Sequence, residues 1–308
     1  MARSRKGLPI HGWIVLDKPL GMTSTAAVGA VRRLTGAAKA GHAGTLDPLA
    51  SGVLPIALGE ATKTVPYLVD ATKQYAFTIR WGIATATEDA EGAVTATSDS
   101  RPARGEIEAM LGRFIGSIDQ VPPAYSAIHI DGRRAYDLAR AGESPDMPTR
   151  QVKIEALSLI DVPDADHAMF EMTCGKGTYV RSLARDLALA LGTVGHLVAL
   201  RRTRVGPFRA EHAIPLDELG ENRDSAAAVR HLLPVETALD DILALAVTES
   251  EAGCLRNGQT VSLLRKTDLD RIATLQDGDT VLAMSGGQAV ALVRYAPGEI
   301  RPFRVLNL

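Results

Sequence analysis

The apolar pattern of this 308-residue chain changes near residue 245, and that change most constrains its architecture. Before it, strand-like alternation, as in 75–81, is interspersed with helical spacing, as in 179–191. After it, short apolar runs are broken by six glycines, at 253, 258, 278, 286, 287 and 298. We therefore predict a large mixed α and β domain over 1–240 and a small β-rich domain over 245–308, a division that suits a chain of this length.

The net charge of −2 conceals an uneven distribution along the chain. Residues 1–47 hold seven basic and two acidic residues, a net +5, and residues 176–209 hold seven basic and one acidic, a net +6. Residues 210–250 hold two basic and nine acidic residues, a net −7. If the two basic stretches met on one face, they would form a phosphate-binding surface, although solvated arginines explain the charge count equally well.

Several classes of protein are disfavoured by composition. The two cysteines, Cys174 and Cys254, are far apart and have no histidine pair nearby, which argues against a disulfide framework and a zinc site. The basic N-terminus is followed by no apolar signal segment, and no apolar run is long enough to span a bilayer. The sequence thus predicts a cytoplasmic protein without a metal site.

The segment 41–54, with the sequence GHAGTLDPLASGVL, concentrates the chemistry. Its one carboxylate, Asp47, lies in a glycine-rich loop, where glycines let backbone approach a ligand closely. Pro48 restricts the chain next to that carboxylate. On these residues alone, an aspartate that stabilises a turn is the favoured interpretation.

Three further segments have a local structural prediction. Ser24 is a candidate N-cap for a helix that runs to Arg33. In the predicted helix 179–191, Arg181 and Arg185 are four residues apart and share a face. The stretch 121–151, with prolines at both ends, predicts a strand and a short helix that project from the body of the protein.

The motifs around these segments resemble the TruB family of pseudouridine synthases. Residues 44–54 (GTLDPLASGVL) resemble the catalytic-aspartate motif of the family over many consecutive positions. Four more motifs follow in the order of the family, from about residue 10 to about 210: LDKP with Gly21 and Thr23-Ser24, KQY at 73–75, GTYVRSL at 177–183 with Asp186-Leu187, and GHL at 195–197 continuing through LRRT at 200–203.

The resemblance implies that the chain isomerises uridine to pseudouridine at position 55 in the T loop of tRNA, with Asp47 as the catalytic carboxylate. Arg181 would pair with Asp47, Tyr75 would stack on the target base, and Leu200 would form an apolar wall. Lys18 and Pro19 would support the site. The reaction changes no oxidation state, so no cofactor is expected. The implied fold is α+β, with a cleft across a largely antiparallel mixed sheet, in a monomer.

Contacts with RNA are implied by the same resemblance. The stretch 121–151 resembles the mobile thumb of the family, and residues 245–308 resemble a PUA domain, a small RNA-binding fold. The residues expected to contact the T stem-loop are His42, Tyr179, Arg133, Arg134, Arg140 and Arg202. Four acids in the thumb, Asp131, Asp137, Glu143 and Asp146, nearly cancel its arginines, so we expect a lid that fits by shape more than by charge.

Two alternative functions share these features. The catalytic subunit of an RNA-guided pseudouridine synthase has the same aspartate motif and a PUA domain, but the thumb-like stretch favours an enzyme that grips its own RNA. A tRNA-binding or tRNA-folding protein is the other alternative, and the presence of Asp47, Tyr75 and Arg181 together argues against a loss of chemistry.

Overall fold

The computed structural model describes residues 7–126, 128–130, 132–143, 145–220, 228–265 and 268–308. Most of the described chain up to residue 215 builds one mixed sheet and the helices around it. The strands are β1 (Gly12–Lys18), β2 (Ala40–His42), β3 (Ala50–Leu58), β4 (Lys73–Trp81), β5 (Ile83–Thr85), β6 (Val94–Thr97), β7 (Gly116–Gln120), β8 (His129–Ile130), β9 (Arg133–Arg134), β10 (Arg150–Asp164), β11 (His167–Cys174), β12 (Gly195–Val205), β13 (Phe208–Arg209) and β14 (Ile214–Pro215).

The α-helices of this part are short apart from two. They are α1 (Ser24–Thr35), α2 (Val65–Asp70), α3 (Arg104–Leu111), α4 (Ala135–Arg140), α5 (Val180–Ala190) and α6 (Leu216–Gly220). Single 3₁₀ turns occupy Gly59–Lys63, Gly112–Phe114, Ala210–His212 and Val235–Leu239. No helix in the described part of the chain is long and apolar enough to cross a membrane.

The large sheet has ten strands, with the order β14-β1-β3-β12-β4-β11-β10-β7; β2 is added beside β3 and β13 beside β12. The β1–β14 and β3–β12 pairs are parallel, and the other pairs are antiparallel. Because β3 and β12 lie side by side in the middle, the loop that enters β3 at Ala50 meets Leu200 of β12. This loop is the glycine-rich segment that carries Asp47.

Helix α5 is fixed to the sheet by one apolar face. Leu183 and Leu187 are fully buried and pack with Phe77 and Ile79 of β4 in one core cluster. The helical spacing predicted for 179–191 is confirmed, and it presents Arg181 on the first turn of α5 toward the middle of the sheet.

Helix α1 begins one residue earlier than the predicted cap requires. Thr23 is the N-cap, and its hydroxyl accepts a hydrogen bond from the amide of Ala26 at 3.1 Å. The prediction that Ser24 is the cap was wrong. Ser24 is already helical, and its buried hydroxyl bonds both the amide and the carbonyl of Leu46, at 2.8 and 2.9 Å. That hydroxyl therefore ties α1 to the loop of Asp47.

The stretch 121–149 is an insertion between β7 and β10, which are antiparallel neighbours in the sheet. Its described residues form the two-residue hairpin β8–β9 and the helix α4, and the amide of Tyr136 in α4 donates to the carbonyl of Ser126 at 3.0 Å. We call residues 121–149 the thumb. The predicted strand and helix are both present in it.

The C-terminal part folds as a separate five-stranded sheet in the order β15-β17-β18-β19-β16. Its elements are β15 (Ala244–Ala246), α7 (Glu249–Arg256), β16 (Val261–Ser262), α8 (Leu269–Ile272), β17 (Thr280–Ser285), β18 (Gln288–Ala296) and β19 (Glu299–Val305). The predicted fold class, an α+β domain with a largely antiparallel mixed sheet and a small β-rich domain, is confirmed.

The two sheets share a core. Trp13 and Phe208 of the large sheet belong to the same buried cluster as Leu292 of β18. Lys63 reinforces the contact by donating to the carbonyl of Val305 at 2.8 Å. The exact domain boundary near residue 240 stays a prediction, because this apolar cluster runs across it.

Candidate active site

The loop that carries Asp47 is fixed on several sides. Leu46 is held by Ser24, as described above, and the carbonyl of Pro48 accepts from the amide of Gly21 at 2.8 Å. The carbonyl of Asp47 accepts from the amide of Ala50 at 3.0 Å. These bonds fix the backbone on both sides of a carboxylate whose side chain stays 41% exposed. Asp47 is thus a rigidly mounted, accessible group.

Arg202 supports this loop from beneath. Its side chain is 2% exposed, and its guanidinium donates to the carbonyls of Val53 at 2.8 Å, Gly44 at 3.0 Å and Thr45 at 3.5 Å. Gly52 allows the close approach, since its φ of 99° disfavours other residues and an added Cβ would clash with the Arg202 carbonyl. Arg202 also lines a pocket beside Asp47, so its predicted contact with RNA stays a prediction, although these donors are directed to backbone carbonyls.

Arg181 joins the loop of Asp47 to two other segments. Its side chain is 6% exposed, and its Nη2 lies 3.0 Å from Asp47 Oδ2 and 3.0 Å from the carbonyl of Tyr125. Its Nη1 donates to the carbonyl of Thr87 at 3.0 Å and lies 3.8 Å from Asp89 Oδ2. One buried guanidinium therefore sets the relative positions of the loop of Asp47, the 85–91 loop and the root of the thumb.

A pocket of about 300 Å³ opens on one side of Asp47, and we call it the base pocket. Tyr75, Leu200 and Tyr179 line it, as do Ser126 and Arg181. Burial raises the pKa of both tyrosine hydroxyls; for Tyr75 the neighbouring Arg202 guanidinium opposes the rise. Both rings are therefore neutral, half-buried surfaces at neutral pH.

A larger cleft of about 590 Å³ opens on the other side of Asp47 and extends beneath the thumb. His42 and Thr23 line it on the body of the protein, and Tyr125, His129 and Tyr136 line it on the thumb. Burial, with a smaller effect of Arg202, lowers the pKa of His42, so its ring is neutral near pH 7. We call this space the thumb cleft.

Lys18 and Pro19 lie outside both spaces. Lys18 is fully buried and donates to the carbonyls of Pro19 at 2.8 Å and Met22 at 2.7 Å, which holds the turn between β1 and α1. Burial lowers the pKa of Lys18 from 10.5 to about 8, although Asp47 acts in the opposite direction. Pro19 is exposed. The geometry thus makes Lys18 a support of the site.

The remaining residues with predicted RNA contacts fall into two groups. His42 and Tyr179 line the two spaces beside Asp47. Arg133 and Arg140 are exposed on the thumb, where Arg133 pairs with Glu143 at 3.1 Å and Arg140 lies over the ring of Tyr136 at 4.6 Å. The side chain of Arg134 lies outside the described residues.

The basic stretch 176–209 is mostly engaged inside the protein. Arg185 pairs with the half-buried Glu88 and, at 2.8 Å, with Asp186, and Arg201 pairs with Asp17 at 2.7 Å. Arg181 and Arg202 are buried as described. These intramolecular partners account for four of the seven basic residues of the stretch, and the phosphate-binding surface that the charge count allows stays a prediction.

Sequence reasoning missed the 85–91 loop. The polar residues 86–104 indicate a surface loop or the end of a hairpin, yet Asp89 is 6% exposed and faces Arg181. Glu88 has a positive φ of 62°, a conformation rare outside glycine. The polar composition of the loop gave no signal that Asp89 is buried, because the burial depends on contacts with α5, which is distant in the sequence.

The arrangement has one accessible carboxylate between two open spaces, an arginine fixed against it, and apolar and aromatic walls. A carboxylate so placed can act as a nucleophile or as a base toward a ligand that enters from the thumb cleft and extends into the base pocket. Aromatic and aliphatic walls suit a planar ring.

Two family descriptions match this chain. TruB family pseudouridylate synthase (N terminal domain) matches residues 32–180, and tRNA pseudouridylate synthase B C-terminal domain matches residues 181–240. A relative from Caulobacter sp. (strain K31), named tRNA pseudouridine synthase B, is 57% identical over 309 residues and covers 100% of both chains. A relative of the same name from Rhodospirillum rubrum is 54% identical, again over 100% of both chains.

Solved structures agree with the fold. A crystal structure of a Cbf5-Nop10-Gar1 complex matches with a TM-score of 0.69 and 28% identity, over 92% of this chain and 78% of that one. A structure of an H/ACA RNP bound to a substrate RNA containing 2′-deoxyuridine matches with a TM-score of 0.72 and 23% identity, over 100% and 92%; this second likeness concerns the fold alone. The chain therefore belongs to the TruB family of pseudouridylate synthases and is an enzyme of the isomerase class.

Proposed function

We propose that this enzyme isomerises uridine to pseudouridine at position 55 in the T loop of tRNA, with Asp47 as the catalytic carboxylate. The observation that carries the proposal is the position of Asp47, exposed between two open spaces and paired with the buried Arg181 at 3.0 Å. Full-length relatives named tRNA pseudouridine synthase B support the choice of tRNA.

The reaction breaks the N1–C1′ bond of the uridine and forms a C5–C1′ bond. Asp47 either attacks C1′ or removes a proton from the ribose, and in both routes the uracil leaves with the electron pair of the broken bond. After the base turns over, C5 bonds to C1′; in the first route it displaces the Asp47 carboxylate from C1′, and in the second the ribose regains the proton that Asp47 removed. The C5 proton is then lost, and N1 gains a proton. The sum is an isomerisation, so no redox cofactor takes part.

The base pocket suits the detached uracil. Tyr75 and Leu200 offer an aromatic face and an aliphatic wall on adjacent strands. Because burial raises the pKa of Tyr75, its phenol stays protonated at neutral pH, so stacking is its first role. Proton transfer from C5 to this phenol would require the phenolate and is its lesser role.

The thumb cleft suits the rest of the RNA. A uridine inside a folded T loop must leave its stack to reach Asp47, at a cost of a few kcal/mol. His42, whose Nδ1 is buried without a hydrogen-bond partner among the described residues, faces this cleft and would contact the rearranged loop as a neutral ring. Arg133 and Arg140 on the exposed thumb would reach phosphates, and the small β-rich domain would add PUA-like contacts.

The catalytic subunit of an RNA-guided pseudouridine synthase is a second candidate, which the likeness to the Cbf5 complex brings forward. The thumb, whose root is bonded to Arg181 at the active site, favours an enzyme that acts alone, as a cytoplasmic monomer. A tRNA-folding role is compatible with catalysis, since opening the T loop disrupts the tertiary structure of tRNA.

The test is pseudouridine mapping, by selective chemical modification and primer extension, on unmodified tRNA with the wild-type enzyme and with Asp47→Asn. We expect a new stop at the T-loop uridine with the wild type alone, because the amide neither attacks carbon nor accepts a proton well. Retained RNA binding by Asp47→Asn is the control for folding. Activity that requires an added guide RNA would favour the second candidate.

A further inference from the structure

The base pocket has a polar group that the proposed mechanism does not use. Ser126, at the root of the thumb, lines both the base pocket and the thumb cleft. The residue is 5% exposed, and its Oγ, shielded from solvent, makes no well-formed hydrogen bond with the described residues, although it lies close enough to the Tyr179 hydroxyl to lower the pKa of that phenol. A buried hydroxyl without a well-formed bond is unfavourable, and a ligand in the pocket would complete its hydrogen bonding.

Most other strong donors around the pocket are already engaged. Lys73 donates to the carbonyls of Leu68, Val69 and Ala71, and Arg202 donates to the three carbonyls described above. Thr178 donates to the carbonyl of Gly175 at 3.2 Å. The hydroxyl of Ser126 is thus available for a ligand while its neighbours mainly shape the pocket.

The backbone around Ser126 fixes where its hydroxyl points. The carbonyl of Tyr125, the preceding residue, accepts from Arg181, and the carbonyl of Ser126 accepts from the amide of Tyr136 in α4. One side of this short segment is therefore bonded to the arginine that holds Asp47, and the other side to the thumb helix. Ser126 and Asp47 both line the two spaces, so a ligand that extends from one space into the other is close to both residues.

We infer that the hydroxyl of Ser126 hydrogen-bonds to the nucleotide that occupies the base pocket and is a specificity-determining residue of this enzyme. Of the oxygens of a uridine, we expect this bond to go to O2, O4 or the 2′-hydroxyl, because a bond to one of these groups can discriminate between nucleotides. The thumb would thereby contribute a substrate contact at the reacting nucleotide, in addition to covering the RNA. This inference rests on the proposed function.

The test compares Ser126→Ala with the wild type on four RNAs, whose target nucleotide is uridine, 2-thiouridine, 4-thiouridine or 2′-deoxyuridine. With uridine, we expect Ser126→Ala to lower kcat/KM by about tenfold, the size of one lost hydrogen bond. With one of the three analogues, kcat/KM of the wild type should already be lower by about tenfold. With that analogue, Ser126→Ala should lower kcat/KM hardly any further.

Ser182→Ala is the matched control. The hydroxyl of Ser182 donates to the carbonyl of Val121 at 2.8 Å, so it supports the same thumb root without lining the base pocket. Its loss should lower kcat/KM by the same factor with all four RNAs. Equal melting temperatures of both variants and the wild type would show that each is folded.

Two results would overturn the inference while the wild type is active: a Ser126→Ala defect of the same factor with all four RNAs, or no defect with any. A wild type that is inactive on uridine-containing tRNA would overturn the proposed function and, with it, this inference. The two failures are therefore distinguishable.

Discussion

The sheet around Asp47 and the thumb form opposite walls of the same site, yet they are held together in different ways. On the sheet, buried groups fix the catalytic loop, with Ser24 and Arg202 making five hydrogen bonds to its backbone and to the start of β3. On the thumb, Arg133 and Glu143 form an ion pair in which both side chains are more than half exposed.

The difference separates two requirements of the reaction. In the proposed reaction, the carboxylate of Asp47 must be placed to within a fraction of an ångström of C1′, which a buried and fully bonded wall provides. The RNA must enter and leave, which suits a wall with exposed, weakly stabilising contacts. Arg181 connects the two, because the same guanidinium nitrogen lies 3.0 Å from Asp47 and from the Tyr125 carbonyl.

Removing Arg202 tests the fixed wall and should have the largest effect. In Arg202→Met, the carbonyls of Gly44, Thr45 and Val53 lose their buried donor, so we expect the free energy of unfolding to fall by about 3 kcal/mol. The displaced loop should lower kcat by about 100-fold. Urea denaturation and single-turnover kinetics on tRNA would measure both.

Arg201→Met is the matched control for that prediction. Arg201 is the preceding residue in β12, but it is partly exposed and pairs with Asp17 at 2.7 Å, so its loss should cost at most about 1 kcal/mol. If Arg202→Met were as stable as Arg201→Met and lost only RNA affinity, Arg202 would be an RNA contact, as the sequence resemblance implied.

The sequence predicted the parts of this site that follow from local pattern or motif. The α5 helix followed from its spacing of apolar residues, and the expected pairing of Arg181 with Asp47 followed from the family motifs. The internal role of Arg202 was not predicted, because its partners lie about 150 residues away in the chain, on the parallel neighbour β3 and in the loop that leads into it. The burial of Asp89 was missed for the same reason, since long-range packing decides it.

The pH dependence of stability should report on the same fixed wall. Lys73 begins β4, two residues before Tyr75, and burial lowers its pKa from 10.5 to about 8; the pKa of Lys18 is lowered likewise. Between pH 8 and 10.5 the unfolded chain binds more protons than the folded one, so the free energy of unfolding rises with pH. Burial raises the pKa of Cys174 from 9.0 to about 11, so above pH 9 this thiol lowers the free energy of unfolding as the pH rises.

The window from pH 8 to 9 is therefore the one to measure. Urea denaturation should show the wild type gaining on the order of 1 kcal/mol across it, and Lys73→Met should lose about half of that gain. Lys176→Met is the control, because Lys176 is exposed beside Asp70 and is the weakest of the influences on the pKa of Lys73, so the gain should stay close to that of the wild type. If the free energy of unfolding of Lys73→Met rose as much as that of the wild type, the gain could not be assigned to the buried lysines.

Removing an exposed thumb arginine should have the smallest effect on stability and a selective effect on RNA binding. In Arg133→Gln we expect the free energy of unfolding to change by at most about 1 kcal/mol, since the pair with Glu143 is exposed. If Arg133 contacts one phosphate, the slope of log Kd against log salt concentration should fall by about 1.

Glu143→Gln provides the opposite change at the same pair. It frees Arg133 from its intramolecular partner, so RNA affinity at low salt should rise slightly and the salt slope should stay at the wild-type value or above it. Titration of fluorescently labelled T stem-loop RNA at several salt concentrations would measure both variants. An unchanged slope in Arg133→Gln would show that the thumb grips RNA by shape alone, and the contrast between the two walls would then extend to their use of charge.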